Sequence, residues 1–374
     1  MKFQALILAA FCALVLYGCE LPAASPALKL KSRKERVFHK PDTIAKVQSK
    51  DTITIAAVGD MMLGSAYPDS SKLPPDSAKQ SFTAAKPYFK DADIVFGNLE
   101  GTLLDQGNPA TYKKNLTVAY LFRMPTYYGK VFKDAGFNLL SVANNHITDF
   151  GDTGCVSTTQ TLDTLGIHYA GLDSCPTSIF ERDGVKYGFC SFAPNAHTIP
   201  LLAIKHATGI VRELKQQCDI VIVSFHGGAE GALYEHVPFK MESYMGAKRG
   251  DVHQFAHAVV DAGADIVLGN GPHVSRAMEI YKDRLIAYSL GNFCTYKSVS
   301  VAGVCGMAPL LKVKLNKQGE FIGGNIIAFN QSHQYGLTRD TLNRVAKRIK
   351  LLTEKDFPEA GLDINDNGAI VPEN

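Results

Sequence analysis

Short apolar runs alternate with amphipathic stretches along most of the chain, beginning near residue 52. The runs are rich in Val, Ile and Phe and are bounded by Gly, Asn and Asp, a pattern typical of buried strands. They lie at 52–58, 93–96, 137–142, 187–192, 219–225, 265–268 and 285–289. Apolar residues near helical spacing predict intervening helices at 127–135, 156–165, 205–217 and 252–262. Strands that alternate with helices in this way predict an α/β fold, in which helices cover the faces of a sheet.

The last third of the chain has a different pattern. Apolar runs at 310–315 and 321–328 flank the turn sequence NKQG (316–319), which predicts a hairpin. A helix is expected next, with one apolar face formed by Leu342, Val345, Ala346, Ile349 and Leu352. Beyond Pro358 the pattern weakens, and we expect a frayed tail.

The first residues have the features of a secretory signal. Lys2 gives a positive start, and the apolar run at 5–17 is shorter than the ~20 residues needed to span a bilayer. The run ends in LYGC (16–19), which resembles the bacterial lipobox, so we expect Cys19 to be the lipidated first residue of the mature protein. Ordinary cleavage nearby, without a lipid, is the alternative. Glu20 is not the Asp associated with inner-membrane retention, which favours the outer membrane if the cell is Gram-negative.

These features predict an extracytoplasmic protein that a lipid anchors to the membrane of the cell envelope. We divide the chain into a signal peptide (1–19), a Pro-containing tether (20–51), a main domain (52–335), and a C-terminal helix and tail (336–374). The 39 Lys and Arg residues nearly balance 36 Asp and Glu residues, so the net charge of +3 argues against a nucleic-acid partner. Hydrophobic residues make up 46% of the chain, which excludes wholesale disorder.

Cysteine use fits an oxidising compartment. Of the 8 Cys, one lies in the signal and one in the lipobox, and the others form no CxxC pair that would indicate a zinc ribbon. Exported proteins can carry disulfides, and we predict Cys155 with Cys175 and Cys294 with Cys305, since each pair closes a short loop. Cys190 and Cys218 lie in apolar runs and are expected to be buried thiols.

Polar side chains follow one strand-like run after another at the point where each run ends. They are Asp60, Asn98, Glu100, Asn145, His146, His226, Glu230, Asn270, His273 and Asn292. Sites in open α/β sheets form outside the carboxyl ends of the strands, so we expect these groups to converge. Oxygen and nitrogen ligands of this kind suit Mn, Fe, Zn or Mg, as one ion or as a pair. Taken singly, each residue could equally be a helix cap or part of a turn.

Six sequence segments occur in an order that identifies a resemblance. They are GDMMLG (59–64), GNLEGTL (97–103), ANNHITDFG (143–151), HGGAEG (226–231), GPHV (271–274) and YSLGNF (288–293). Together they resemble the bacterial capsule-synthesis family of the CapA type, which is associated with poly-γ-glutamate capsules. That family is similar to the calcineurin-like metallophosphoesterases. The resemblance implies a four-layer α/β/β/α sandwich with a metal site at the C-terminal ends of the strands.

The resemblance also implies a role for each matching position. The implied metal ligands are Asp60, Glu100 as a bridging carboxylate, Asn145, His226 and His273. His146 is the implied proton donor. Two positions depart from the superfamily pattern, because Met62 and Asn270 stand where His is usual, which puts a second ion in doubt. Glu230 could compensate as a ligand or catalytic carboxylate, or could hydrogen-bond His226.

Two hypotheses about function follow. In the first, the metal lowers the pKa of a bound water, and the resulting hydroxide attacks a phosphoryl or acyl centre in a cell-envelope or capsular polymer. The residues expected to bind this anionic substrate are Asn98, Arg249, Asn270, Arg276 and Asn292. In the second, the protein is a non-catalytic, polymer-binding component of a complex with other capsule synthesis or export proteins. A serine hydrolase is disfavoured because no GxSxG segment occurs.

Overall fold

Two β-sheets dominate the part of the chain that the computed structural model describes, residues 51–112, 120–334 and 336–373. In chain order the strands are β1 (Thr52–Met62), β2 (Ile94–Leu99), β3 (Thr102–Leu103), β4 (Arg123–Met124), β5 (Leu139–Ser141), β6 (His168–Ala170), β7 (Thr177–Arg182), β8 (Val185–Phe192), β9 (Ile220–His226), β10 (Glu242–Tyr244), β11 (Ala247–Gly250), β12 (Ile266–Asn270), β13 (Met278–Tyr281), β14 (Arg284–Ala287), β15 (Asn292–Thr295), β16 (Met307–Asn316), β17 (Phe321–Ser332), β18 (Gly336–Arg339), β19 (Leu362–Ile364) and β20 (Ala369–Pro372). The helices are α1 (Lys86–Phe89), α2 (Tyr128–Ala135), α3 (Gly151–Leu165), α4 (Ile204–Lys215), α5 (Val252–Asp261) and α6 (Arg344–Asp356), with a 3-10 helix at Gly303–Gly306.

The strand order brings the predicted site positions to the same edge. The first sheet runs β19-β20-β17-β16-β1-β2-β5-β6, with β15 paired to β1 and β18 paired to β17. The second sheet runs β13-β14-β12-β9-β8-β7. Strand β1 is parallel to β2 and β15, and β9 is parallel to β8 and β12. Parallel neighbours end at the same edge of a sheet, so their C-terminal residues lie close together.

Strand β1 shows why the first sheet lies in the interior. Its residues alternate between two faces, as the period of a strand requires. Ile53 and Ile55 join the core that contains Phe189 of the second sheet. Ala56 and Val58 join the core on the other side of the sheet. Both faces are therefore buried, which explains the continuous apolar run in the sequence.

Helices cover the outer face of each sheet. On the first sheet, α2 and α3 bury Phe132 and Leu162 in the outer core. On the second, α4 buries Val211, and α5 buries Phe255 and Val259. Helix α6 packs against β16, β17 and β13. The order of layers is α/β/β/α, so the four-layer sandwich expected from the resemblance is confirmed.

The prediction of a frayed tail after Pro358 is wrong. Strands β19 and β20 pair with each other, and β20 pairs with β17 at Gly324 and Asn325. Leu362 and Ile370 are buried in the core between the sheets, which holds this segment in place. The predicted helix also begins later than expected, at Arg344. Leu342, which was assigned to its apolar face, precedes the helix and is 64% exposed.

The predicted disulfides are also wrong. All six described cysteines are free thiols. The Cys155 thiol lies 3.4 Å from the carbonyl of Ile147, and the Cys294 thiol lies 3.4 Å from the carbonyl of Ser81. Cys190 and Cys218 are buried thiols, as predicted.

The N-terminal features lie outside the described residues. This applies to the signal peptide with Cys19 and to the tether, apart from Asp51. Within the described ranges, no helix combines the length and the apolar character needed to cross a membrane.

Candidate metal centre

Strand pairing sets the frame of the candidate site. Asp60 near the end of β1 lies opposite Asn98 of β2 and Asn292 of β15. Across the second sheet, His226 at the end of β9 lies opposite Asn270 of β12. Gly59 permits the close approach of β1 to the loop before β15, because a Cβ atom there would lie 1.9 Å from the carbonyl oxygen of Gly291.

Asn98 holds two of the predicted ligands in place. It is fully buried, and its Nδ2 donates to Asp60 Oδ1 over 2.8 Å. The same Nδ2 lies 3.2 Å from His226 Nδ1. Because one amide group contacts both side chains, Asn98 links the ends of the two sheets.

His273 occupies the middle of the cluster. Its Nδ1 lies 3.1 Å from Asp60 Oδ2 and 2.9 Å from Asn292 Oδ1, while its Nε2 lies 3.5 Å from Glu100 Oε1. Asn292 is oriented by its own Nδ2, which donates to the carbonyls of Ser300 and Cys305. The Oδ1 of Asn292 therefore faces His273 and favours a proton on Nδ1, which leaves Nε2 free to bind a metal. His273 has a φ of 59°, a left-handed conformation that non-glycine residues rarely adopt and that marks many functional sites.

Buried polar atoms without partners indicate a place for a cation. Asp60, Glu100 and His273 each offer one ligand atom, and these atoms lie within 4.8 Å of one another. Among the described residues, neither oxygen of Glu100 has a hydrogen-bond partner, and the same holds for His226 Nε2 and Asn145 Oδ1. Burying polar atoms unpaired is costly. The chemistry and position of these atoms therefore fit a divalent ion of the kind predicted from the sequence.

The pKa shifts of the clustered side chains also fit a site for a divalent cation. Burial raises the pKa of Glu100 to about 7, against the opposing effect of His273 and with further support from Asp60. Burial alone would lower the pKa of His273, but Glu100, Asp60 and Glu230 together raise it well above its usual value. Burial also lowers the pKa of His226 well below its usual value. The cluster thus retains protons that a divalent cation would displace, and His226 stays neutral, as a ligand must.

His146 lies beside the cluster and is oriented by a residue whose role the sequence analysis did not assign. Its Nδ1 lies 2.8 Å from Asp149 Oδ2, and its ring stacks on Phe122 with centroids 4.0 Å apart. The backbone amide of Phe122 donates to the same Asp149 oxygen. The signal for this role was the spacing of three between His146 and Asp149. His146, His273 and Glu230 line one open recess of about 210 Å³.

The two departures from the superfamily pattern have different consequences. Met62 is fully buried and forms an apolar cluster with Phe122 and Val299, both of which line the recess. Apolar packing therefore fills the position where a ligand was expected. Asn270 is also fully buried, and its Nδ2 donates to Ser224 Oγ, while its Oδ1 has no hydrogen-bond partner among the described residues.

The predicted substrate-binding role of Arg276 is wrong. The guanidinium is fully buried, donates from Nη1 and Nη2 to Glu242 at 2.8 Å each, and donates from Nε to the carbonyl of Tyr234. It holds β10 against the β13–β14 region and does not reach the recess. Arg249 is 5% exposed and lies 2.9 Å from Glu230 Oε1, so it neutralises that carboxylate at the edge of the site.

The other expected substrate contacts also serve the scaffold. Asn98, Asn270 and Asn292 are fully buried and hold neighbouring groups, as described above. Glu230 is half-buried in the recess, 4.0 Å from His273 Nε2. It is paired with Arg249 and does not contact His226, whose Nε2 has no partner among the described residues.

Comparison with known proteins gives one matching family model and several similar sequences. The family model described as "Bacterial capsule synthesis protein PGA_cap" matches residues 54–297. The chain is 32% identical over 267 residues to the PGA biosynthesis protein CapA of Bacillus subtilis (strain 168), covering 66% of this chain and 64% of that protein. It is 28% identical over 268 residues to the capsule biosynthesis protein CapA of Bacillus anthracis, covering 66% of this chain and 61% of that protein. The chain therefore spans less than two thirds of the length of these relatives.

Among solved structures, a 5'-nucleotidase precursor from Thermus thermophilus is similar at 13% identity with a TM-score of 0.41, covering 81% of this chain and 58% of that chain. At that score the likeness is too slight to carry a conclusion about chemistry.

Proposed function

Because this chain belongs to the bacterial capsule synthesis protein family PGA_cap, we propose that it is a divalent-metal-dependent hydrolase of capsular or cell-envelope polymer. The observation that supports this proposal is the set of buried ligand atoms around His273. Glu100 and His226 present unpartnered atoms there, and Asp60 contributes a third ligand. If these side chains served only the fold, their buried polar atoms would be expected to have hydrogen-bond partners.

The proposed ligands are those that the sequence indicated: Asp60, Glu100, Asn145, His226 and His273. Mn, Fe, Zn or Mg would suit these oxygen and nitrogen donors. Such an ion, when bound, acts as a Lewis acid and lowers the pKa of a water ligand towards neutrality. Asn98 and Asn292 fix the orientation of Asp60, His226 and His273, so the ligands are organised before the ion arrives.

His146 is the proposed proton donor to the leaving group. Asp149 fixes the ring through Nδ1, so Nε2 is the nitrogen available to exchange a proton at the recess. The stack with Phe122 restricts rotation of the ring. Glu230, paired with Arg249, lines the same recess and is proposed to contact the substrate or the ion.

The proposed substrate is an anionic polymer, in keeping with the names of the relatives. The proposed location is the extracytoplasmic side of a membrane, where a lipid on Cys19 and the tether at 20–51 would anchor the chain. Other capsule synthesis or export proteins are the proposed partners. These parts of the proposal depend on the sequence and on family membership.

One observation favours a second candidate function, a polymer-binding component without catalysis. Met62 packs with Phe122 and Val299 at a position where the superfamily usually supplies a ligand. A site that has lost a ligand in this way could bind an ion too weakly for turnover. Polymer would then bind in the same recess without being cleaved.

Metal content and turnover together test the proposal. The purified chain, a His273→Gln variant and a His206→Gln control would be analysed by elemental mass spectrometry; His206 is an exposed residue of α4. We expect one more equivalent of bound Mn, Fe or Zn in the native chain and the control than in His273→Gln. Hydrolysis of bis(p-nitrophenyl) phosphate and of γ-glutamyl oligomers should follow metal content. Metal without turnover, together with polymer binding, would support the second candidate, and no metal after reconstitution would refute the hydrolase.

A further inference from the structure

A second group of ligand-type side chains lies on α5 and β13, outside the candidate metal centre. His253 and His257 belong to α5, and Glu279 belongs to β13. One ring nitrogen from each His and one carboxylate oxygen lie within 4.8 Å of one another. We propose that these three residues form a separate zinc site, with water as the fourth ligand.

The helical spacing explains how the two imidazoles meet. Residues four apart lie on the same helix face, one above the other, and the ring centroids of His253 and His257 are 4.1 Å apart. The neighbouring strand supplies the third group. His257 Nε2 lies 2.6 Å from Glu279 Oε1. Two His and one Glu form a donor set that zinc accepts with an open fourth position.

Glu279 is already held as a metal-binding carboxylate would be. It is 7% exposed, and its Oε1 accepts a hydrogen bond from the hydroxyl of Tyr288. Carboxylates that ligate metals are commonly oriented by such contacts. A buried carboxylate also needs positive charge or donors near it. The contact with His257 meets that need in part, and a divalent cation would meet it more fully.

Only a small movement separates the present contact from a coordinated one. Zinc bonds of about 2.0–2.2 Å in a tetrahedral arrangement place two ligand atoms roughly 3.3 Å apart. The contact between His257 and Glu279, now 2.6 Å, would open by less than about 1 Å. Zinc would take the place of the proton shared by His257 and Glu279, and that proton would pass to solvent. Burial lowers the pKa of His253, so its ring keeps a lone pair at neutral pH.

Aromatic rings enclose the group and leave one side open. Tyr281 stacks on His257 with centroids 3.8 Å apart, and Phe239 lies 4.4 Å from His253. The side chain of His257 remains 24% exposed, which gives an entry path and space for the water ligand. A bound ion would fasten α5 to the edge of the second sheet. Helix α5 begins at Val252, three residues after Arg249, which pairs with Glu230.

The test removes the first site so that the second can be measured alone. The full chain carrying Asp60→Asn and His273→Gln would be stripped with a chelator and titrated with zinc chloride by calorimetry. We expect about one equivalent to bind, with a pH-dependent release of protons. Adding His253→Gln or His257→Gln should weaken binding by at least about tenfold, since each removes a ligand. His206→Gln, an exposed histidine of another helix, should have no effect.

Cobalt provides a readout that does not depend on these variants. Cobalt bound by two imidazoles, a carboxylate and water should give the intense visible absorption of a four-coordinate site, in the native chain as in the double variant. Binding that is unchanged by His253→Gln and His257→Gln, or cobalt spectra of a hexahydrated ion only, would overturn the proposal. Circular dichroism on each variant identifies any that fails to fold. Because the double variant lacks the candidate metal centre, the result stands apart from the proposed function.

Discussion

Replacing Asn98 with Ala should damage the candidate metal centre without touching a proposed ligand. Asn98 Nδ2 donates to Asp60 Oδ1 and contacts His226 Nδ1 from a fully buried position. A hydrogen bond to a charged group contributes about 1.5–3 kcal/mol, and a neutral one about 0.5–1.5 kcal/mol. Their joint loss should lower the free energy of unfolding of the metal-free protein by roughly 2–4 kcal/mol.

The same change should weaken metal binding, because Asp60 and His226 lose the contact that orients them. Removing such an orienting partner costs about 10–100-fold in metal affinity. Urea denaturation followed by circular dichroism measures the first effect, and competition with a fluorescent zinc chelator, in chains that also carry His257→Gln to remove the second proposed site, measures the second. Since unfolding and affinity are read separately, a general loss of stability can be told from a local loss of organisation.

Asn138→Ala provides a matched control. Asn138 also bridges two segments of the first sheet, accepting from the amide of Val95 and donating to the carbonyl of Asp93. Its loss should lower stability but leave metal affinity unchanged. If Asn98→Ala binds metal within about twofold of the native chain, the claim that Asn98 organises the ligands is refuted.

Three further outcomes follow from the structure. Asp149→Asn should lower turnover by about 100-fold or more at unchanged metal content, because His146 loses the carboxylate that orients it. Metal affinity should fall as the pH drops through about 7, since the ion must displace protons from Glu100, whose pKa is raised to about 7, and from His273, whose pKa is also raised; titrations from pH 6 to 8 would show it. Glu242→Gln should lower the free energy of unfolding by about 3–5 kcal/mol in urea, because it leaves the buried charge of Arg276 without its partner.

Each of these expectations has a result that contradicts it. Full turnover in Asp149→Asn would remove His146 from the mechanism. An affinity that stays flat between pH 6 and 8 would mean that the ion displaces a proton from neither Glu100 nor His273, and would remove both from the ligand set. A stability loss below about 1 kcal/mol for Glu242→Gln would place the ion pair in a more solvated setting than its burial indicates.

The sequence predicted the parts of the fold that depend on local pattern. Buried strands appear in the sequence as apolar runs. The ends of the strands could be recognised because Gly, Asp, Asn and His follow them. Parallel pairing placed Asp60 beside Asn98 and His226 beside Asn270, as expected from the general rule for such sheets. Asp60 and His273 come from different sheets, and their contact depends on how the two sheets pack. The tail was missed because β19 and β20 are short and are joined by the polar segment NDNG (365–368), and their burial depends on a sheet edge formed elsewhere in the chain.

Roles that depend on distant partners were harder to predict. Arg276 was expected to bind an anionic substrate, yet it is fully buried, which is rare for a long charged side chain. Its partner Glu242 lies in a separate two-stranded ribbon, and nothing in the local sequence indicates the pairing. Asn98 and Asn292 were placed at the site but assigned to substrate, because a residue type does not reveal whether its amide faces solvent or a neighbouring ligand.

The charges around His273 favour a single tightly held ion. Asp60, Glu100 and Glu230 bring three formal negative charges, and Arg249 neutralises Glu230 over 2.9 Å. Two negative charges remain, which one divalent ion balances. A second ion would depend on neutral donors, and Met62, at a position where the sequence resemblance implied a ligand, is enclosed by apolar packing. We therefore expect one ion at this centre, so that elemental analysis of a His257→Gln chain, which lacks the second proposed site, should give a stoichiometry near one after extensive dialysis. Two ions per chain that survive dialysis, with both lost in His273→Gln, would contradict this account of the charge balance.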